Sequence, residues 1–207
     1  MPKIGLSKPY IAVHGTGTGG TPIFTKRFLA GKYTEMTITP DEGGDNAFFA
    51  DNEEQDNDNS FTGGNVSITT DDLFPSVMMD IYDLKAVASS ATEGAPKWYI
   101  FDDDQEIPHV AVGGVITVRI NKQTKYQAYI VENVKFNNPE ISIVTKGETT
   151  EWQTSNIAGP MFKKRFTDTN VKNPWMRFSD LVDTEDAAAA LIESYMTVTE
   201  PGSGGSV

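Results

Sequence analysis

The amino-acid sequence predicts a mainly β protein, an antiparallel β-sandwich or barrel with one or two flanking α-helices. Three observations lead there. Apolar and polar residues alternate with period two along many short segments rich in β-branched and aromatic side chains. Short polar or glycine-containing turns, not helices, join these segments, which favours antiparallel pairing. Helical periodicity is confined to two stretches. With 207 residues the chain has single-domain size and can bury a core without a metal or disulfide staple. Residues 1–198 are assigned to one domain and the Gly/Ser-rich end, 199–207, to a flexible tail.

Taken in order, short strands are expected at 10–14 and 33–39, then at 65–69, where Val66 and Ile68 share one face. After Asp71, a candidate N-cap, Leu73, Val77 and Ile81 recur every four residues beside Phe74, Met78 and Tyr82, predicting a helix with Pro75 in its first turn. A strand follows at 97–101. Ile116, Val118 and Ile120, the polar turn 121–124, and Tyr126, Ala128 and Ile130 followed by Val134 and Phe136 read as one long hairpin. A second hairpin is expected over 141–153 and a strand at 156–162. The last helix is expected near 184–196, with Ala187, Leu191, Ile192 and Tyr195 as its apolar stripe. Trp98, Trp152 and Trp175, with Tyr126, Tyr129 and Phe136, are expected in the core.

Charge and composition narrow the function. Seventeen basic against 29 acidic residues leave a net charge of -12, a surface that repels phosphates and disfavours ordinary nucleic-acid binding. The chain has no cysteine, which removes disulfides, thiolate ligands and a cysteine nucleophile. Met1-Pro2-Lys3-Ile4-Gly5 lacks the apolar run of a signal peptide, and no stretch approaches membrane-spanning length. A cytoplasmic product without a membrane anchor, or one built into a particle assembled there, is expected.

The motifs that carry chemistry fall short. Gly15-Thr16-Gly17-Thr18-Gly19-Gly20 fits a dinucleotide fingerprint, but Thr21-Pro22-Ile23-Phe24-Thr25 reads as a strand where a phosphate-binding helix is required. His14 and His109 lie far apart in sequence and belong to no catalytic constellation. Asp56-Asn57-Asp58-Asn59-Ser60 opens like a calcium loop, but Phe61 and Ser67 stand where Gly and Glu are needed. Asp102, Asp103, Asp104 and Glu106 are a weak cation candidate and read better as a solvated turn. No catalytic residue, cofactor or metal site is assigned.

Several segments, in order, resemble the major tail protein family, the tail-tube subunits of long-tailed, non-contractile phages. They are Ile4-Gly5-Leu6-Ser7-Lys8-Pro9-Tyr10-Ile11-Ala12, Ala47-Phe48-Phe49-Ala50-Asp51-Asn52, Phe61-Thr62-Gly63-Gly64-Asn65-Val66-Ser67-Ile68, Val134-Lys135-Phe136-Asn137-Asn138-Pro139-Glu140 and Thr150-Glu151-Trp152-Gln153-Thr154-Ser155-Asn156-Ile157-Ala158-Gly159. Together they cover most of residues 4–162. The pattern leads one to expect a Gly just after the first helix, where Asp80-Ile81-Tyr82-Asp83-Leu84-Lys85 stands instead. The resemblance implies a β-sandwich that assembles as hexameric rings. The rings stack into a tube around a tape-measure protein, closed by tail-terminating proteins, and DNA later passes through without specific binding. It also implies a place in the virion.

The long segment 41–60 holds Asp41, Glu42, Asp45, Asp51, Glu53, Glu54, Asp56 and Asp58 without a single Lys or Arg, and reads as a loop around the apolar Phe48 and Phe49. Lys163, Lys164, Arg165, Lys172 and Arg177 gather late in the chain. Such segregation suits head-to-tail contacts between copies, so 41–60 and Lys163, Lys164 and Arg165 form the candidate self-assembly interface. Surplus carboxylates facing the lumen would keep DNA from adhering. Two other classes stay open: a monomeric carbohydrate- or receptor-binding β-sandwich, and a hydrolase with dispersed carboxylates.

Overall fold

The computed structural model describes residues 2–15, 23–42, 48–50, 53–56, 60–71, 73, 75–141, 145, 154–163, 171 and 174–198, with backbone alone for 48–50 and 53–56. Its strands are β1 (Lys3–His14), β2 (Phe24–Leu29), β3 (Tyr33–Glu42), β4 (Phe48–Ala50), β5 (Glu53–Asp56), β6 (Phe61–Thr70), β7 (Lys85–Ala88), β8 (Lys97–Ile100), β9 (Val110–Ile120), β10 (Gln123–Val134), β11 (Ser155–Met161) and β12 (Met176–Phe178). Its helices are α1 (Pro75–Tyr82) and α2 (Glu185–Tyr195). The main sheet is antiparallel and runs β2-β1-β9-β10-β11-β6-β3, with β12 paired to β10. The expected fold class is the observed one.

The sheet folds into two layers where β10 meets β11. β10 pairs with β11 at Val134 and Met161, the Lys135 and Asn137 N–H groups just beyond donate to the Pro160 and Ala158 carbonyls, and β11 continues along β6. Gly159 permits this crossing, because a Cβ there would lie 2.2 Å from the Lys135 carbonyl oxygen. The layers β2-β1-β9-β10 and β11-β6-β3 close on Ile11, Val13, Val110, Val112 and Val131 from one side and Val66, Ile68, Ile157 and Met161 from the other. Tyr33 fastens the interface: its hydroxyl donates to the Gly113 carbonyl at 3.0 Å and accepts from the Tyr129 hydroxyl at 3.0 Å.

The long hairpin turns tighter than the expected 121–124. Asn121 and Lys122 alone make the turn, both with φ in the left-handed region (48° and 68°), as a two-residue hairpin twisted like its strands requires. The second expected hairpin, 141–153, lies almost wholly outside the described residues, as do the tail 199–207 and most of the glycine-rich 15–20. Beyond those glycines the chain resumes as strand β2, and the Gly15 N–H donates to the Ile23 carbonyl at 2.8 Å, which closes a hairpin and not a strand-to-helix turn.

Both helices form, with corrections. Pro75 is the first residue of α1 and Val77, Ile81 and Tyr82 are buried under it, as the periodicity predicts. Asp71, however, lies too far upstream to cap it; its carboxylate instead accepts from the Lys32 N–H at 2.7 Å. Asp83 stands where the glycine was expected and takes its conformation, φ 53°, while the Leu84 N–H returns to the Met79 carbonyl at 3.1 Å. Helix α2 is capped by Thr184, whose hydroxyl accepts from the Ala187 N–H at 3.2 Å. Its buried face is Ala188, Ala189 and Ile192, followed by Met196, and not the stripe through Ala187 and Leu191. Small alanines let the helix lie close on β9, where a Cβ at Gly113 would come within 3.1 Å of both Ile192 and Met196. Leu191 is left 45% exposed.

Candidate functional site

The segment 41–60 is not one long loop. β3 and β6 pair from Tyr33 with Thr70 out to Glu42 with Phe61, so Asp41 and Glu42 are exposed residues at the far end of a long hairpin. Beyond it Phe48 and Phe49 belong to β4, and Glu53, Glu54 and Asp56 to β5; these two strands pair with each other as a separate small sheet. Asp45, Asp51 and Asp58 lie outside the described residues, as do Lys164, Arg165 and Lys172. Lys163 is exposed just past β11, and because Met161 and Pro40 both face Gly64, it leaves the same end of this layer as Asp41 and Glu42.

Arg177 does not add to a basic surface patch. It reaches from β12 to Glu132 on β10, whose side chain is fully buried, and pairs with it through Nε. Tyr195 of α2 donates to the other carboxylate oxygen at 2.5 Å, and the Arg177 guanidinium lies 4.8 Å from the Tyr195 ring centroid. Burial, reinforced by the Glu132 carboxylate, pushes the Tyr195 phenol far above its usual range. A charge within the apolar run Tyr129-Ile130-Val131-Glu132-Asn133-Val134 was the available signal in the sequence. The arrangement ties β10, β12 and α2 together and is structural chemistry.

The two histidines, distant in sequence, are neighbours. The His14 N–H donates to the His109 carbonyl at 2.9 Å, and both side chains line a cleft of about 710 Å³ with Lys26, Asp80, Glu106 and Lys135. Their rings engage β10: His14 Nε2 lies 2.7 Å from the Glu132 carbonyl oxygen and His109 Nδ1 lies 2.7 Å from Asn133 Oδ1. Asp102 is paired with Lys85, and Glu106 points into this cleft. Among the described residues no three His, Asp or Glu side chains group as a metal site would require, and no helix is long and apolar enough to cross a membrane.

An unusual surface carries Trp98, which the sequence placed in the core. β7 and β8 form a two-stranded ribbon of their own, paired from Lys85 with Ile100 to Ala88 with Lys97. Every residue of the ribbon is exposed, Trp98 by 67%, together with Val87, Tyr99 and Ile100, and Phe101 just beyond it. Tyr129 and Phe136 are buried as expected, Trp175 is stacked on Phe61 with centroids 4.5 Å apart, and Trp152 lies outside the described residues. At the base of the ribbon the Phe101 ring lies 6.0 Å from that of Tyr82 in α1. A lone ribbon is marginal in water, and this one, with Phe101 just beyond it, exposes five large apolar groups. Such a projection is suited to burial against another surface.

No protein-family model matches the chain, and no curated protein matches it.

Proposed function

We propose that this protein is a self-assembling structural subunit of a phage tail tube, forming stacked, hexameric rings that make a conduit for DNA, and that it is not an enzyme. The observation that carries the reading is the β7–β8 ribbon, whose exposed Val87, Trp98, Tyr99, Ile100 and Phe101 call for a partner surface. Three of the five segments that resemble the tail-tube family support it by their place on strands of the sandwich: 4–12 on β1, 61–68 on β6, and the strand part, 155–159, of 150–159 on β11. In this reading the partners are further copies of the chain, a tape-measure protein and tail-terminating proteins. The surplus of negative charge faces DNA that must pass without adhering, and the protein resides in the virion.

Substitution of Trp98 by Asp tests the reading. An anchor of this kind typically contributes about 2 kcal/mol or more to association, roughly a 30-fold weakening on loss. Sedimentation velocity should show W98D as a folded monomer at concentrations where the unsubstituted chain forms rings or tubes. Equal sedimentation of both would remove the ribbon from the assembly.

The exposed Trp98 also suits a second reading, a monomeric module that stacks a sugar on the indole. Saturable glycan binding by a chain that never polymerises, lost in W98D, would favour it.

A further inference from the structure

We propose that helix α2 is a strap, which lifts from the sheet as one unit while the sandwich beneath it stays folded. The inference stands apart from the tail-tube reading and concerns a second apolar face that α2 keeps covered.

Two separate apolar clusters lie on opposite faces of the β1-β9-β10 layer. Successive strand residues alternate between them: Ile11, Val13, Val110, Val112 and Val131 face the second layer, whereas Tyr10, Ala12, Ala111, Ala128 and Ile130 face α2. The two sets share no buried residue, so lifting the helix leaves the core between the layers whole. The helical segment's own share of its cluster is small: Ala188, Ala189, Ile192 and Met196. An alanine contributes one methyl to burial, and adhesion therefore rests mainly on Ile192 and Met196.

The polar ties between helix and sheet release without stranding a charge. Lys8 pairs with Asp186 at 2.7 Å, Tyr10 donates to the Glu193 carboxylate at 2.7 Å, and Ser7 donates to Glu185 at 2.6 Å. Arg27 donates to the Glu193 carbonyl at 2.8 Å. The Asp186 and Glu193 side chains are 93% and 46% exposed, so water readily replaces their partners. Tyr195 donates to buried Glu132, which on release keeps Arg177, a residue of β12 and not of the helix. The chain entering α2 is anchored, because Tyr126 and Val182 exchange two backbone hydrogen bonds of 2.9 Å. Beyond the helix a bridge between Phe24 and Val198 holds the other end. A peripheral element with a thin apolar seat, exposed ties and a fixed pivot opens at a lower free energy than the core. Opening it bares Tyr10, Phe24, Val115 and Ile130.

Hydrogen exchange of the full chain in low urea, followed by mass spectrometry, tests the strap. Val112 lies in the core between the layers and outside the cluster beneath α2. Val112→Ala should speed exchange in β9 and β10 at least about tenfold, since those amides open only with the sandwich. Amides of 188–196 should keep their rate within about twofold, because lifting the helix leaves residue 112 buried. They should also show a shallower urea dependence than β9, having less surface to expose. If Val112→Ala fails to fold, Ile157→Val in the opposite layer gives the same comparison, with roughly a fivefold acceleration in the sandwich. Equal acceleration of helix and sandwich, or one urea slope shared by both, would overturn the proposal and make α2 part of a single cooperative unit.

Discussion

Single residues carry much of what is distinctive. Asp83 occupies a left-handed position at the end of α1, which costs a non-glycine residue about 1–2 kcal/mol, and places a negative charge at the unfavourable pole of the helix. Asp83→Gly should therefore raise stability by about 1 kcal/mol, read as a higher urea midpoint at unchanged slope. Glu132 makes the opposite case. It is buried with Arg177 and Tyr195 as partners, so Glu132→Ala leaves a guanidinium without its carboxylate and should cost about 3 kcal/mol. Arg177 is about one-third exposed and can partly rehydrate, which places the cost at the low end for such a pair. Tyr195→Phe, losing one hydrogen bond to a charged acceptor, should cost about 2 kcal/mol. Equal stability of Glu132→Ala and the unsubstituted chain would refute the role given to this cluster.

Among the elements, strands were more legible than the faces they present. The alternation at Val66 and Ile68, and along the hairpin of β9 and β10, is enforced by a core on one side and survives folding intact. Helix α2 was legible in extent, through Thr184 and the acidic start, but not in phase. Four consecutive alanines supply no contrast, and the close seat over Gly113 selected Ala188 and Ala189 over the larger Leu191. Adjacent substitutions should divide accordingly: Leu191→Ser should change stability by less than about 0.5 kcal/mol, and Ile192→Ala should cost about 2–4 kcal/mol. Thermal unfolding of the two variants checks the phase directly. The ribbon was half legible. Lys97 to Ile100 read as a strand, but the natural inference that Trp98 is core failed because, among the described residues, β7 and β8 pair with each other and with no other strand. The Glu132 cluster was hidden for a different reason, since Arg177 and Tyr195 reach it from segments 45 and 63 residues away.

At the scale of the whole molecule, buried phenols predict the alkaline limit. Burial holds Tyr10, Tyr33, Tyr82, Tyr129 and Tyr195 protonated beyond the usual range; Tyr10 is pushed up to about 12 by burial and then by the hydrogen bond to Glu193. In the unfolded chain they ionise near pH 10, so above that pH the unfolded state binds fewer protons than the folded one. Their contribution is complete below about pH 10 and is lost as pH rises, for Tyr10 between about pH 10 and 12. Phenolate absorbance and circular dichroism should show these tyrosines ionising together with unfolding, not before it. The molecule otherwise has one side covered by α2 and an apolar ribbon left exposed. In the proposed tail tube that ribbon is buried against another copy. Negative-stain electron microscopy of the purified full chain over a range of concentrations, with and without the ends of a tail as initiator, tests this most directly. Six-fold rings stacking into tubes are the expected result. Single particles of monomer size under every condition, including with an initiator present, would contradict it.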